Sequence, residues 1–144
     1  MLAFHSHCQL GNQMFIYACA HSIAKSRKTK YCLSDLGDLI FFNLSKDDYQ
    51  KNAKKWLWFR ITNKIKSSKF EHLQDNRLDY SNKLLSEPLK KVWYYGYFQG
   101  EKYFFKNEIE IKKRFTVKKE FVNEFKRIKH KICGNEEYNI VHIR

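Results

Sequence analysis

Apolar positions near the start of the chain change their period twice. Leu2 to Ser6 opens apolar and predicts a short first strand, weakened by His5, Ser6 and His7. Gln9 to Asn12 reads as a turn. From Gln13 the spacing becomes helical, with Met14, Phe15, Tyr17, Ala18, His21 and Ile23 on one face to about Lys25. A polar break leads to a second strand over Lys30 to Ser34. Strand, turn, helix and strand in that order predict an α/β fold that begins as a Rossmann-like unit.

Further along, Asp35 to Asn43 is irregular, although Leu39 to Phe42 is apolar. Glu71 to Glu87 is polar and reads as loop with one helical turn, and Pro88 breaks the chain. Val92 to Phe98 is a compact β-prone run that predicts a strand buried on both faces, with Gly96 marking a bulge or a close backbone approach. Gly100 to Phe115 predicts one helix. Phe121 to Ile132 predicts another, apolar at Phe121, Val122, Phe125 and Ile128 and stopped by Gly134-Asn135. Tyr138 to Arg144 predicts a buried last strand. It places His142 and Arg144 on one face at its carboxyl end, the edge where open α/β sheets bind ligands.

With 144 residues the chain has the length of one domain. Its formal charge of +13 points to an anionic partner or to a general enrichment in lysine. The charge also clusters: Lys51 to Phe70 holds seven basic residues and no acidic one, with Trp56, Leu57, Trp58, Phe59 and Ile61 among them. That stretch is either a helix with a solvated basic face or a patch that lies on anionic lipid or on an acidic acceptor. Cys8, Cys19, Cys32 and Cys133 form no C-x-x-C pair, which argues against a zinc knuckle or a thioredoxin-type site. The opening Met1 to Cys8 is too short and polar for a signal sequence, and no run approaches the roughly 20 apolar residues that span a bilayer. Reduced thiols and a cytoplasmic location are therefore expected, with peripheral contact at the inner membrane if the basic patch meets lipid.

Three segments carry candidate chemistry. Gly11-Asn12-Gln13 precedes a helix, so backbone N–H groups and the positive end of the helix dipole face whatever anion approaches. Asn12 adds an amide donor for a phosphate or a sugar hydroxyl. The alternative is a turn with a helix cap. His142 and Arg144 pair an imidazole with a guanidinium that can grip a diphosphate by paired hydrogen bonds, or else they are a core histidine beside a solvated arginine. Tyr95 to Phe104 is rich in aromatic rings that stack on sugars or simply fill a core, with Gln99 nearby to orient hydroxyls. No D-x-D pair is present: Asp35 and Asp38 are three apart, Asp47 and Asp48 adjacent. There is no Walker-type loop and no evident Ser-His-Asp arrangement.

In this order the three segments resemble the α-1,2-fucosyltransferases, glycosyltransferase family 11. The family's Leu-Gly-Asn-Gln-Met-Phe-x-Tyr-Ala signature matches Leu10 to Ala18. Its Gly-Tyr-Phe-Gln-x-Glu-Lys-Tyr-Phe block matches Gly96 to Phe104 with Gly100 at the variable place, and the start of its His-x-Arg-Arg-x-Asp motif matches His142-Ile143-Arg144. Cys8 and Gln9 stand where the family usually has small or basic residues.

The resemblance implies the Rossmann-like N-terminal half of a GT-B-type glycosyltransferase. Residues 1–137 would form the acceptor-side domain, and 138–144 the first strand of a GDP-fucose-binding domain. It implies transfer of L-fucose from GDP-β-L-fucose to the 2-hydroxyl of a galactose in a glycan, with inversion and without a metal or other cofactor, in O-antigen or polysaccharide synthesis. Gly11 and Asn12 would face the donor phosphates or fucose, and His142 and Arg144 would hold GDP. Gln13 would pin the loop, and Tyr97, Phe98 and Gln99 would build the core beneath the cleft. The motifs assign no catalytic base. The chain by itself is expected to be truncated and inactive, and no nucleic acid is expected as a partner. A different class, a small basic module for RNA or anionic membrane, rests on charge and aromatics without a recognisable RNA-binding signature.

Overall fold

A computed structural model describes residues 2–6, 9–34, 37–44, 71–75 and 92–137, without the side chains of 71–75 and 92–93. The described residues form a mixed α/β fold around a parallel sheet. Strands β1 (Leu2–Phe4), β2 (Tyr31–Leu33), β3 (Glu71–Asp75) and β4 (Val92–Gly96) lie in the order β2-β1-β4-β3, every neighbouring pair parallel. β1 pairs through Ala3 with Cys32 on one side and Trp93 on the other. An inner strand of a parallel sheet has both faces covered, which is why Leu2, Ala3 and Phe4 are all apolar and fully buried. The polar residues His5 and Ser6 end the strand rather than weaken it.

Helix α1 (Leu10–Ser26) connects β1 to β2 and is buried along most of its length. Ala18, Cys19, Ala20, Ser22 and Ala24 are small enough for close approach on several sides, while Ile16, Tyr17 and Ile23 fill the core. Ile16, outside the stripe expected from the spacing, is fully buried, whereas Met14 and Phe15 are half-buried. The expected turn over Gln9 to Asn12 is corrected: the helix begins at Leu10. Gln9 is its extended N-cap (φ −77°, ψ 168°), and Gln13 N donates to Gln9 O at 3.2 Å to close the first turn.

Three further expectations change. Glu71–Asp75, expected as loop, is strand β3, whose polar residues pair along β4 from Glu71–Val92 to Asp75–Gly96. The run from Val92 is not buried on both faces. β4 ends at Gly96, and beyond Tyr94 burial alternates, with Tyr95 and Tyr97 exposed and Phe98 buried. Gly100 to Phe115 is not one helix: short 3-10 turns at Glu101–Tyr103 and Phe105–Asn107 precede α2 (Glu108–Arg114). Helix α3 (Lys119–Cys133) follows as expected and ends at Gly134, whose φ of 58° suits glycine and whose N–H donates to His130 O at 2.9 Å.

A charged cluster fastens α2 to α1. Glu110 on α2 lies 3.0 Å from His21 Nε2 and accepts from Lys25 Nζ at 2.5 Å, both on α1. Arg114 bonds the same carboxylate at 3.1 Å and donates to Tyr17 Oη at 3.2 Å. Hydrogen bonding from Lys25 is the largest cause that lowers the Glu110 pKa to about 2. Burial opposes it, and Arg114 and the His21 and Lys25 charges add to the lowering. No helix among the described residues is long and apolar enough to cross a membrane. The stretches 45–70 and 76–91, with Pro88 and the basic aromatic run Lys51 to Phe70, lie outside the described residues, as does the last strand, Tyr138 to Arg144.

Candidate functional site at the carboxyl edge of the sheet

The chain leaves β1 to one side for β2, while β4 lies on the other side with β3 beyond it. In a parallel sheet such a reversal opens a crevice outside the carboxyl ends of the two inner strands. Here those ends are Phe4 of β1 and Gly96 of β4, and each is followed by a segment carrying one of the two longer sequence motifs.

Backbone and hydroxyl bonds hold this edge rigid. His5 N donates to Tyr94 O at 2.9 Å, and Ser34 N donates to Phe4 O at 3.0 Å. Ser34 Oγ accepts from Ser6 N at 2.8 Å and donates to Ser6 O at 3.1 Å, which ties the ends of β1 and β2 together. Neither serine stands in a motif, and only pairing of β1 with β2 brings them together. On the other side the His5 ring stacks on Tyr95 at 5.3 Å.

Below the edge is an aromatic floor. Phe4 stacks on Tyr94 at 4.4 Å and meets Phe98 edge-on at 5.7 Å, and Phe98 packs edge-on against Tyr103 at 5.8 Å. Arg27 donates to Tyr94 Oη at 3.0 Å. Phe98 adopts φ 51°, a left-handed conformation that costs a non-glycine residue about 1–2 kcal/mol. Its fully buried ring, wedged between Phe4 and Tyr103, holds the backbone there. The chain thus turns at Phe98 just before Gln99.

Gln99 Nε2 donates to Asn12 Oδ1 at 2.7 Å. This bond joins the first turn of α1 to the segment after β4 across 87 positions of sequence. It commits the Asn12 carbonyl oxygen, so the amide nitrogen is the group that Asn12 keeps for donation. Leu10, Gly11 and Asn12 are the first three residues of α1, whose N–H groups have no carbonyl one turn earlier within the helix. Gly11 is exposed, and a methyl group added there would meet nothing within 4 Å.

Gln13 is buried. Its Oε1 accepts from Asp38 N at 3.0 Å, which fixes the 3-10 turn Gly37–Phe41. Gly37, at φ 43°, allows that approach; a Cβ there would come within 2.6 Å of Gln13 Nε2.

Of the sequence-derived site residues, Gly11 and Asn12 therefore lie together at the carboxyl edge, and His142 and Arg144 lie outside the described residues. The core role expected of Tyr97, Phe98 and Gln99 holds for Phe98. Tyr97 is exposed, and Gln99 reaches Asn12 instead. Among the described residues no three His, Cys, Asp or Glu side chains converge as a metal-ligand set. The chain matches no family model, no curated protein and no solved structure.

Proposed function

We propose that this chain carries the N-terminal, Rossmann-like part of a GT-B-type galactoside α-1,2-fucosyltransferase, which transfers L-fucose from GDP-β-L-fucose to a galactose 2-hydroxyl. The observation that carries the proposal is the Asn12–Gln99 bond. Two segments that resemble the family's motifs meet at the ligand-binding edge of a parallel sheet, one residue from each in contact.

In this reaction the acceptor hydroxyl attacks the anomeric carbon in line as GDP departs, inverting the centre. Positive charge grows on the fucose ring and negative charge on the leaving diphosphate. The N–H groups of Gly11 and Asn12, at the positive end of α1, meet that diphosphate or the fucose without reorganising, and the Asn12 amide nitrogen donates beside them. His142 and Arg144 are assigned to GDP. A guanidinium grips a diphosphate through paired hydrogen bonds and supports departure of the leaving group without a metal.

The test is fucose transfer from GDP-β-L-fucose to lactose by the protein expressed from its own gene, with a chelator present. Product carrying fucose on the galactose 2-hydroxyl, reduced by Asn12→Ala, is the expected result. No transfer to any β-galactoside, with or without divalent metal, contradicts the proposal.

A further inference from the structure

Asn12 and Gln99 commit one atom each to the bond between them. Gln99 Nε2 donates to Asn12 Oδ1, and among the described residues neither side chain has another hydrogen-bond partner. The amide pair therefore stays open instead of closing into a doubly bonded ring. It presents one amide nitrogen, Asn12 Nδ2, and one carbonyl oxygen, Gln99 Oε1. Each shares its amide carbon with a bonded atom, so the two groups stand within a few ångströms of each other. Both residues are half-buried, and neither group is sealed from solvent. Their backbones are fixed: Asn12 lies in the first turn of α1, and Gln99 follows the left-handed turn that the buried Phe98 ring holds.

What this pair recognises follows from what it offers. A diphosphate oxygen at neutral pH only accepts, and a carbonyl oxygen beside it repels it. A hydroxyl accepts and donates at once, so one hydroxyl, or two on neighbouring carbons, satisfies both groups. The phosphates suit the adjoining backbone instead. The first turn of α1 has no acidic side chain, Gln9 makes no side-chain cap there, and the space around Gly11 is open. In a nucleotide-sugar the sugar is bonded directly to the diphosphate, so phosphates at Gly11 bring the sugar hydroxyls beside Asn12. Guanine also offers both kinds of group, but a ribose separates it from the diphosphate.

We infer that Asn12 and Gln99 together read the hydroxyls of the transferred sugar, Asn12 Nδ2 donating to a hydroxyl oxygen and Gln99 Oε1 accepting from a hydroxyl, while the diphosphate lies on the Gly11 side. The pair is then a specificity determinant for the sugar and not a phosphate clamp. This inference rests on the reading of the edge as a GDP-fucose site.

Calorimetry on the protein expressed from its own gene tests it with GDP, GDP-fucose and GDP-fucose analogues in which fluorine replaces one ring hydroxyl at a time. Fluorine accepts weakly and cannot donate. Gln99→Ala should weaken GDP-fucose binding about tenfold and change GDP binding by less than about twofold, whereas Gly11→Ala should weaken both. At least one fluorinated analogue should bind the wild type about tenfold more weakly than GDP-fucose and lose nothing further in Gln99→Ala. Equal weakening of GDP and GDP-fucose by Gln99→Ala would assign the pair to phosphate or guanine and overturn the inference. So would fluorinated analogues that all bind the wild type as well as GDP-fucose does. A wild type that binds neither GDP nor GDP-fucose would remove the donor-site reading itself, and the inference with it.

Discussion

Asn12 and Gln99 share a hydrogen bond of 2.7 Å although they stand 87 positions apart, one in the first turn of α1 and the other just beyond β4. The bond fixes which end of the Asn12 amide faces outward. In the protein expressed from its own gene, Gln99→Ala should therefore reduce fucose transfer by about 10- to 100-fold through misplacement of Asn12, and Asn12→Ala should do the same by removal. Because both act on one contact, the double variant should lose little more than either single one, and each should cost the fold only about 0.5–1.5 kcal/mol. Kinetics and urea unfolding of the three variants check this. Additive losses in transfer would separate the two residues.

Gly11 separates folding from binding. Its position is helical, exposed and open around an added methyl group, so Gly11→Ala should leave the fold as stable as before or up to about 1 kcal/mol more stable. The same methyl group would stand between the helix end and a donor phosphate. GDP-fucose binding should weaken while the melting temperature holds or rises, a pairing that calorimetry measures directly.

Gly37 should respond in the opposite way. Its φ of 43° strains any L side chain, and a Cβ there would push aside the Gln13 amide, whose Nε2 lies 2.6 Å away. Gly37→Ala should destabilise by more than about 1 kcal/mol in denaturant unfolding. Gln13→Ala, which strips the acceptor from Asp38 N, should cost about 1–3 kcal/mol.

The Glu110 cluster sets an acid limit. An unfolded glutamate takes up its proton near pH 4.5, whereas the folded Glu110 resists until about 2, chiefly through its bond with Lys25. The lowered value means that its contribution is complete above 4.5 and lost as the pH falls toward 2. Glu110→Gln should therefore flatten the acid side of the stability profile in that window and lower stability at neutral pH. Urea midpoints measured from pH 2 to 7 check both.

The strand–helix–strand opening was legible in the sequence because local patterning dictates it: β1 is apolar throughout, and α1 keeps a helical period over several turns. The start of α1 was not, since Gly11 and Asn12 read as turn residues. Extended Gln9 lets the helix begin at Leu10 all the same. β3 was hidden because its polar residues, Glu71, His72, Gln74 and Asp75, conceal a pairing that only β4 reveals. Gln13, expected to pin the loop, holds Asp38 N instead, 25 positions on and beyond β2, a partner that no local pattern names. The partner of Gln99 was hidden as well, because it is a long-range contact set by the left-handed turn at Phe98, and no local period encodes such a contact.

The central claim is that the first turn of α1, clasped to Gln99, receives the fucose donor. Amide hydrogen exchange with and without GDP-β-L-fucose, on the protein expressed from its own gene, tests it most directly. The account predicts slowed exchange in the segments spanning 9–13 and 97–100, absent with GDP-mannose and lost in Gly11→Ala. Saturating GDP-fucose that leaves both segments unprotected would contradict it.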